Sequence, residues 1–168
     1  MINSWVDYFF FVDDNIAGNP KYAKELFRAI KPYKIRWIGQ ATVNIAKDDE
    51  LLELAAASGC FALLIGFESL SPANLATIGK NINVVDEYQN LIEKIHSKGI
   101  NIHGFFIIGL DEDDGSVFKR TVRFAQKMRL ESAGFAIPVP LPGTELARSL
   151  EKEGRIIHTE WSRYVDEI

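Results

Sequence analysis

Leu63-Leu64-Ile65-Gly66-Phe67-Glu68-Ser69 is an apolar run that finishes on an acid and a hydroxyl. Two other runs finish in the same manner: Phe9-Phe10-Phe11-Val12-Asp13-Asp14-Asn15 and Phe105-Phe106-Ile107-Ile108-Gly109-Leu110-Asp111-Glu112-Asp113-Asp114. Continuous apolar runs read as strands buried on both faces, the pattern of a parallel sheet. Polar residues at the carboxyl ends of such strands stand where α/β proteins build their sites.

Helical patterns separate the runs. The first strand, near Tyr8 to Val12, is followed by Asn19-Pro20, which opens a helix with Ala23, Leu26, Phe27 and Ile30 on one side; Lys31-Pro32 ends it. Ile35 to Val43 alternates as a second strand. Asp48 or Asp49 caps a helix that Gly59 closes, and Cys60 to Phe67 is the third strand. Ser71-Pro72 starts a short helix, Val84 to Lys98 forms a longer one, and Ile102 to Ile108 is the fourth strand. Ser116 to Met128 is helical, Phe135 to Val139 is the fifth strand, and Thr144 to Glu153 is a last helix before Gly154. The tail from Trp161 to Ile168 has no clear pattern. The strand–helix unit repeats every 30 to 35 residues, roughly the length of a βαβ unit with its right-handed crossover. The expected class is α/β, with a parallel sheet of about five strands in one domain over residues 1–168. Five units are too few to close an eight-stranded barrel, so the sheet is either an open sector of a barrel or doubly wound.

Composition narrows the function. At 168 residues, 47% hydrophobic and 25% charged, the chain suits a globular domain. A net charge of −4 gives no pull toward nucleic acid or an anionic membrane. The apolar runs are too short to span a bilayer, and the start at Met1-Ile2-Asn3-Ser4-Trp5 is unlike a signal peptide, so a reducing cytoplasmic setting is expected. A single cysteine, Cys60, excludes an internal disulfide and a multi-cysteine metal site within one chain. Its apolar surroundings read as those of a buried small hydrophobe. His96, His103 and His158 form no triad pattern, and GxGxxG and Walker-type phosphate loops are absent.

Several pieces in order carry a resemblance. They are Val12-Asp13-Asp14-Asn15, Trp37-Ile38-Gly39-Gln40, Ser58-Gly59-Cys60, Gly66-Phe67-Glu68-Ser69, Lys80, Gly99-Ile100, Gly104 to Asp114, Pro138-Val139-Pro140-Leu141-Pro142-Gly143-Thr144 and Gly154-Arg155-Ile156. Together they resemble the radical S-adenosylmethionine enzymes, in the branch where a cobalamin-binding domain often precedes the barrel. The resemblance covers roughly residues 7 to 160 and selects the partial (β/α) barrel of TIM-like type. It implies that Asp13, Asp14 and Asn15 meet the methionine amino group of the cofactor, and that Glu68 and Ser69 line its pocket; Gln40, a polar residue within an apolar strand, is a further candidate for the barrel interior. It also implies that Ile107 and Gly109 meet the adenine while Glu112 holds the turn.

The same residues have plainer readings. Asp13, Asp14 and Asn15 suit a turn with a helix cap, and Ser69 and Ser71 suit capping before Pro72. Gln40, Thr42 and Asn44 share a strand face that is either a site wall or an ordinary polar edge. The acids from Asp111 to Asp114 lack the calcium-loop pattern and suit capping of the next helix. The proline-rich turn reads mainly as structural.

Complete members of the family hold a 4Fe-4S cluster through a CxxxCxxC loop, and this chain has none. Its first strand resembles the family's second. The expectation is therefore a central and carboxyl-terminal fragment, without the cluster-binding unit and any cobalamin domain, inactive alone and keeping at most a weak S-adenosylmethionine pocket. A partner would be an upstream cluster- or cobalamin-binding part. The alternative is a non-catalytic α/β module acting through self-association at an exposed edge strand or through a partner chain. A third reading is a small doubly wound enzyme with chemistry of its own.

Overall fold

The computed structural model describes residues 8–160 and Tyr164. Within them the chain alternates β1 (Tyr8–Phe11), α1 (Pro20–Ile30), β2 (Arg36–Ala41), α2 (Asp49–Ala57), β3 (Cys60–Glu68), α3 (Pro72–Thr77), α4 (Tyr88–Ser97), β4 (Asn101–Ile107), α5 (Val117–Lys127), β5 (Ser132–Ala136) and α6 (Glu145–Lys152). Of the unpatterned tail only Tyr164 is described. The chain parts into two compact units, Met1–Ala136 and Ile137–Ile168.

In the first unit the five strands pair in chain order, β1-β2-β3-β4-β5, and every pairing is parallel. Order without reversal is the topology of a barrel sector; a doubly wound sheet would reverse it. Right-handed crossovers then lay all the helices on one face. Burial follows that asymmetry. Leu63, Ile65 and Phe67 of β3 are fully buried, while Leu64, Gly66 and Glu68 between them are only partly so. The strands read from sequence as buried on both faces thus bury one face against helices and turn the other into the concave side.

Aromatic rings organise the covered face. Trp37 is fully buried, stacked on Phe27 at 5.1 Å and edge-on to Phe11 at 5.4 Å. Its indole N–H donates to Ser58 Oγ at 3.0 Å, and that hydroxyl donates to Ala55 O at 2.8 Å. The buried polar atom is satisfied within the helix it packs on. Phe67 lies 5.0 Å from Tyr88 and 5.5 Å from Phe106. Cys60 is buried and burial pushes its thiol far up, so it is a packing residue here.

Two strands differ from the sequence reading by more than one residue at an end. β2 stops at Ala41, and Asn44 lies in a 3-10 turn over Val43–Lys47 with its amide donating to Ile82 O at 3.0 Å. Asn44 therefore does not share a strand face with Gln40. β5 occupies Ser132–Ala136 and not Phe135 to Val139, because β4 fixes its register from His103↔Ser132 to Ile107↔Ala136. Pro138 has no N–H to extend that ladder.

In the second unit Thr144 caps α6, its hydroxyl accepting from Ala147 N at 3.2 Å. Gly143 before it has φ 77°, a left-handed position that suits glycine.

Asp48 caps α2 by accepting from Leu51 N at 3.0 Å, and Lys24 of α1 reaches Asp48 and Glu50 at 2.8 Å each. The Lys24 ammonium first, and the Leu51 N–H second, hold the Asp48 carboxyl below the usual carboxylate range. Asp48→Ala is expected to lower stability near neutral pH by about 1 kcal/mol in urea unfolding. A depressed carboxyl stabilises fully above its unfolded value and loses that contribution as pH falls through its folded value. The gap between parent and variant should accordingly narrow below the ordinary carboxylate range; a gap constant with pH would refute the assignment.

Candidate functional site

The parallel order collects the strands' carboxyl ends on one rim, and β3 ends there in an unusual turn. Glu68 has φ 63°, in the left-handed region that residues with a Cβ rarely adopt. Ser69 N–H donates to Phe67 O at 2.8 Å, closing a three-residue turn around Glu68. The pairing with β4 shifts register at this point, between Gly66 and Glu68. Two further donors reach the same backbone: Tyr88 Oη to Phe67 O at 2.9 Å, and Asn83 Nδ2 to Phe67 O at 3.2 Å and Gly66 O at 3.1 Å. Strained backbone persists where its surroundings over-determine it. Burial pushes the Tyr88 hydroxyl well above its ordinary value, so it stays protonated and donates.

The turn folds the Glu68 side chain back over its own strand. A Cβ on Gly66 would stand 2.5 Å from Glu68 Oε1, so glycine at 66 makes the room. Lys80 Nζ lies 3.2 Å from the same oxygen. The Glu68 side chain is 15% exposed and Lys80 48%, so the acid is sheltered and the ammonium meets it from the solvent side. Beside them opens a cavity of about 350 Å³, lined among others by Asp14, Gln40, Thr42, Glu68, Lys80 and Phe105. Two carboxylates and one ammonium around an amide and an aromatic ring suit a small polar ligand with both charge signs.

Of the residues read from sequence, the cavity brings together Asp14, Gln40 and Glu68. Asp13 is exposed and does not line it. Asn15 shapes the turn after β1, its side chain accepting from Ala17 N at 3.2 Å and its carbonyl from Gly18 N at 2.9 Å. Ser69 is buried and its hydroxyl accepts from Ser71 N at 3.1 Å. Ile107 ends β4, and Gly109 follows at φ 94°. The acid that holds this second rim turn is Asp113: it accepts from Gly109 N at 3.0 Å and Leu110 N at 3.1 Å. Glu112 is exposed and contributes its backbone N–H, to Asn74 Oδ1 at 3.2 Å. Buried Asn74 also donates to Asp113 Oδ1 at 2.8 Å.

Sequence reasoning missed Asn83 and Tyr88. Their partners are carbonyls 16 to 21 positions away, and no local pattern signals such a contact. A tyrosine on the apolar face of a helix was the one available sign, since a buried hydroxyl needs a partner.

The comparisons with known proteins agree with this architecture. The Radical SAM superfamily model matches residues 1–125, and the chain belongs to that superfamily. It is 36% identical over 156 residues to the bacteriochlorophyllide d C-12(1)-methyltransferase of Chlorobaculum tepidum, covering 93% of this chain and 34% of that protein. It is 32% identical to the cytidylyl-2-hydroxyethylphosphonate methyltransferase of Streptomyces wedmorensis, covering 89% of this chain and 29% of that protein. The chain thus spans about a third of the length of the curated relatives it matches. The fold is similar to that of TsrM from Kitasatospora setae, a radical S-adenosylmethionine methyltransferase solved with cobalamin and a 4Fe-4S cluster bound. The TM-score is 0.77 at 17% identity, over 92% of this chain and 32% of that one. Methylornithine synthase (PylB) matches with TM-score 0.60 at 15% identity, over 83% of this chain and 41% of that one.

The residues of this chain do not fit a 4Fe-4S cluster, which is held by several thiolates. Cys60 is the one cysteine, and it is buried. Among the described residues no group of three or more His, Cys, Asp or Glu side chains is placed to hold a metal ion, and no helix is long and apolar enough to cross a membrane.

The left-handed turn is testable by stability. Glu68→Gly and Glu68→Ala both lose the carboxylate and differ in the Cβ that strains this backbone. The glycine variant is expected to be the more stable by about 1 kcal/mol in urea unfolding. An alanine variant of equal or greater stability would show that residue 68 is not held at positive φ.

Proposed function

We propose that the β3-rim cavity is an S-adenosylmethionine site, and that this chain is the cofactor-binding part of a radical S-adenosylmethionine methyltransferase. The cluster ligands and the cobalamin domain would then be supplied from outside these 168 residues, and the chain alone would be inactive. S-adenosylmethionine supplies a methyl group or a 5′-deoxyadenosyl radical in this family. The observation that carries the reading is the Glu68 carboxylate, folded over Gly66 into the cavity by a strained turn and paired with Lys80. A zwitterionic headgroup replaces that pair naturally: its ammonium goes to Glu68, and its carboxylate goes to Lys80. Asp14 and Gln40 are placed to take further ammonium or hydroxyl hydrogens. The volume lies at the lower end of the range for small-molecule sites. A reducing cytoplasmic setting accompanies this reading.

Isothermal titration of the chain with S-adenosylmethionine tests it. Binding is expected, and Glu68→Gln should weaken it by about tenfold or more, the scale of a lost charge-assisted hydrogen bond. No heat at millimolar ligand, from protein shown to be folded, would reject the site.

A second reading has its own support. Among the described residues β1 pairs only with β2, and Tyr8, Phe10 and Val12 are 56%, 49% and 77% exposed. An apolar edge of this kind joins other strands. On this reading the chain self-associates through β1, and Phe10→Lys converts the associated form to monomer in light scattering. A parent chain that is monomeric at high concentration would end this reading.

A further inference from the structure

We propose that Asn83 is the positioning residue of the cavity: its buried side chain sets Glu68, and its main chain ties the turn that carries Lys80. The inference rests on the S-adenosylmethionine reading of the cavity and names the residue through which its two charges are placed. Asn83 is 6% exposed, among the few buried polar residues of the described chain. Its Nδ2 donates to Gly66 O at 3.1 Å and Phe67 O at 3.2 Å. Those carbonyls lie where the ladder between β3 and β4 slips. A carbonyl that loses its sheet partner must find another donor or be left unsatisfied. The amide of Asn83 adds a donor at the place where the ladder slips, and together with Ser69 N–H and Tyr88 Oη on Phe67 O it holds β3 in its turn at Glu68.

The other half of the argument is backbone. Asn83 N–H donates to Lys80 O at 2.9 Å, closing the turn that carries Lys80. Through its side chain Asn83 grips the end of β3; through its main chain it grips the loop bearing the cation. These attachments bring the backbones of the two residues near each other, and Lys80 Nζ lies 3.2 Å from Glu68 Oε1. Tyr88 adds a donor to Phe67 O but has no such bond to the Lys80 turn, so its part is the smaller.

Three probes separate positioning from general damage: S-adenosylmethionine, L-methionine as the headgroup alone, and 5′-methylthioadenosine as the nucleoside alone. By titration calorimetry Asn83→Ala is expected to weaken S-adenosylmethionine and L-methionine by about tenfold while leaving 5′-methylthioadenosine unchanged. In a Glu68→Gln background the same substitution should cost little more, because alanine keeps the main-chain bond to Lys80 O and the lost side chain acts through the carboxylate already removed. If Asn83→Ala does not fold, Tyr88→Phe carries the test, with a smaller loss in the same pattern. A folded variant that binds all three probes as the parent does would overturn the inference. So would one that loses all three alike, or one whose effect adds fully to that of Glu68→Gln. A parent chain that binds no probe would overturn the reading of the cavity as well, so the two failures are distinguishable.

Discussion

Parallel pairing in unbroken chain order is the constraint on which the first unit depends. It sends every carboxyl end to one rim and every crossover helix to one face. The covered face holds the large buried side chains, from Phe27 and Trp37 to Phe67 and Phe106. The opposite face keeps Leu64, Gly66, Gln40 and Phe105 at hand for a ligand. Core and site are therefore alternate residues of the same strands. At β3 the alternation is literal: Phe67 is fully buried among rings, and its neighbours Gly66 and Glu68 shape the cavity.

That alternation explains how much was legible. The runs from Leu63 and Phe105 are apolar at nearly every position, so strand and parallel sheet followed from local pattern. The concave face of a barrel is apolar as well as partly open, which is why both faces read as buried. Boundaries set by pairing were not local. Phe135 to Val139 is the more apolar stretch, yet β4 reaches Ser132 to Ala136. The acids were located correctly as rim residues, but which acid does what depended on reach. Asp113 and not Glu112 turns inward, because Asn74 of α3 waits 39 positions earlier to receive it. Asn83 was invisible for the same reason: its function lies in carbonyls that only the folded sheet brings beside it.

Glycines flank the cavity residue Phe105 on both neighbouring strands. Gly66, Phe105 and Gly134 are successive cross-strand neighbours on β3, β4 and β5. A Cβ at Gly134 would come within 2.8 Å of the Phe105 ring, and one at Gly66 would meet the Glu68 carboxylate. Each glycine thus yields its space to a side chain from elsewhere, the ring on one side and the acid on the other. His103 meets the ring edge-on at 4.5 Å. Larger residues at either glycine would push ring or carboxylate into the space a ligand needs. A flat aromatic wall beside a sheltered acid follows from two missing side chains, placed in register by the sheet.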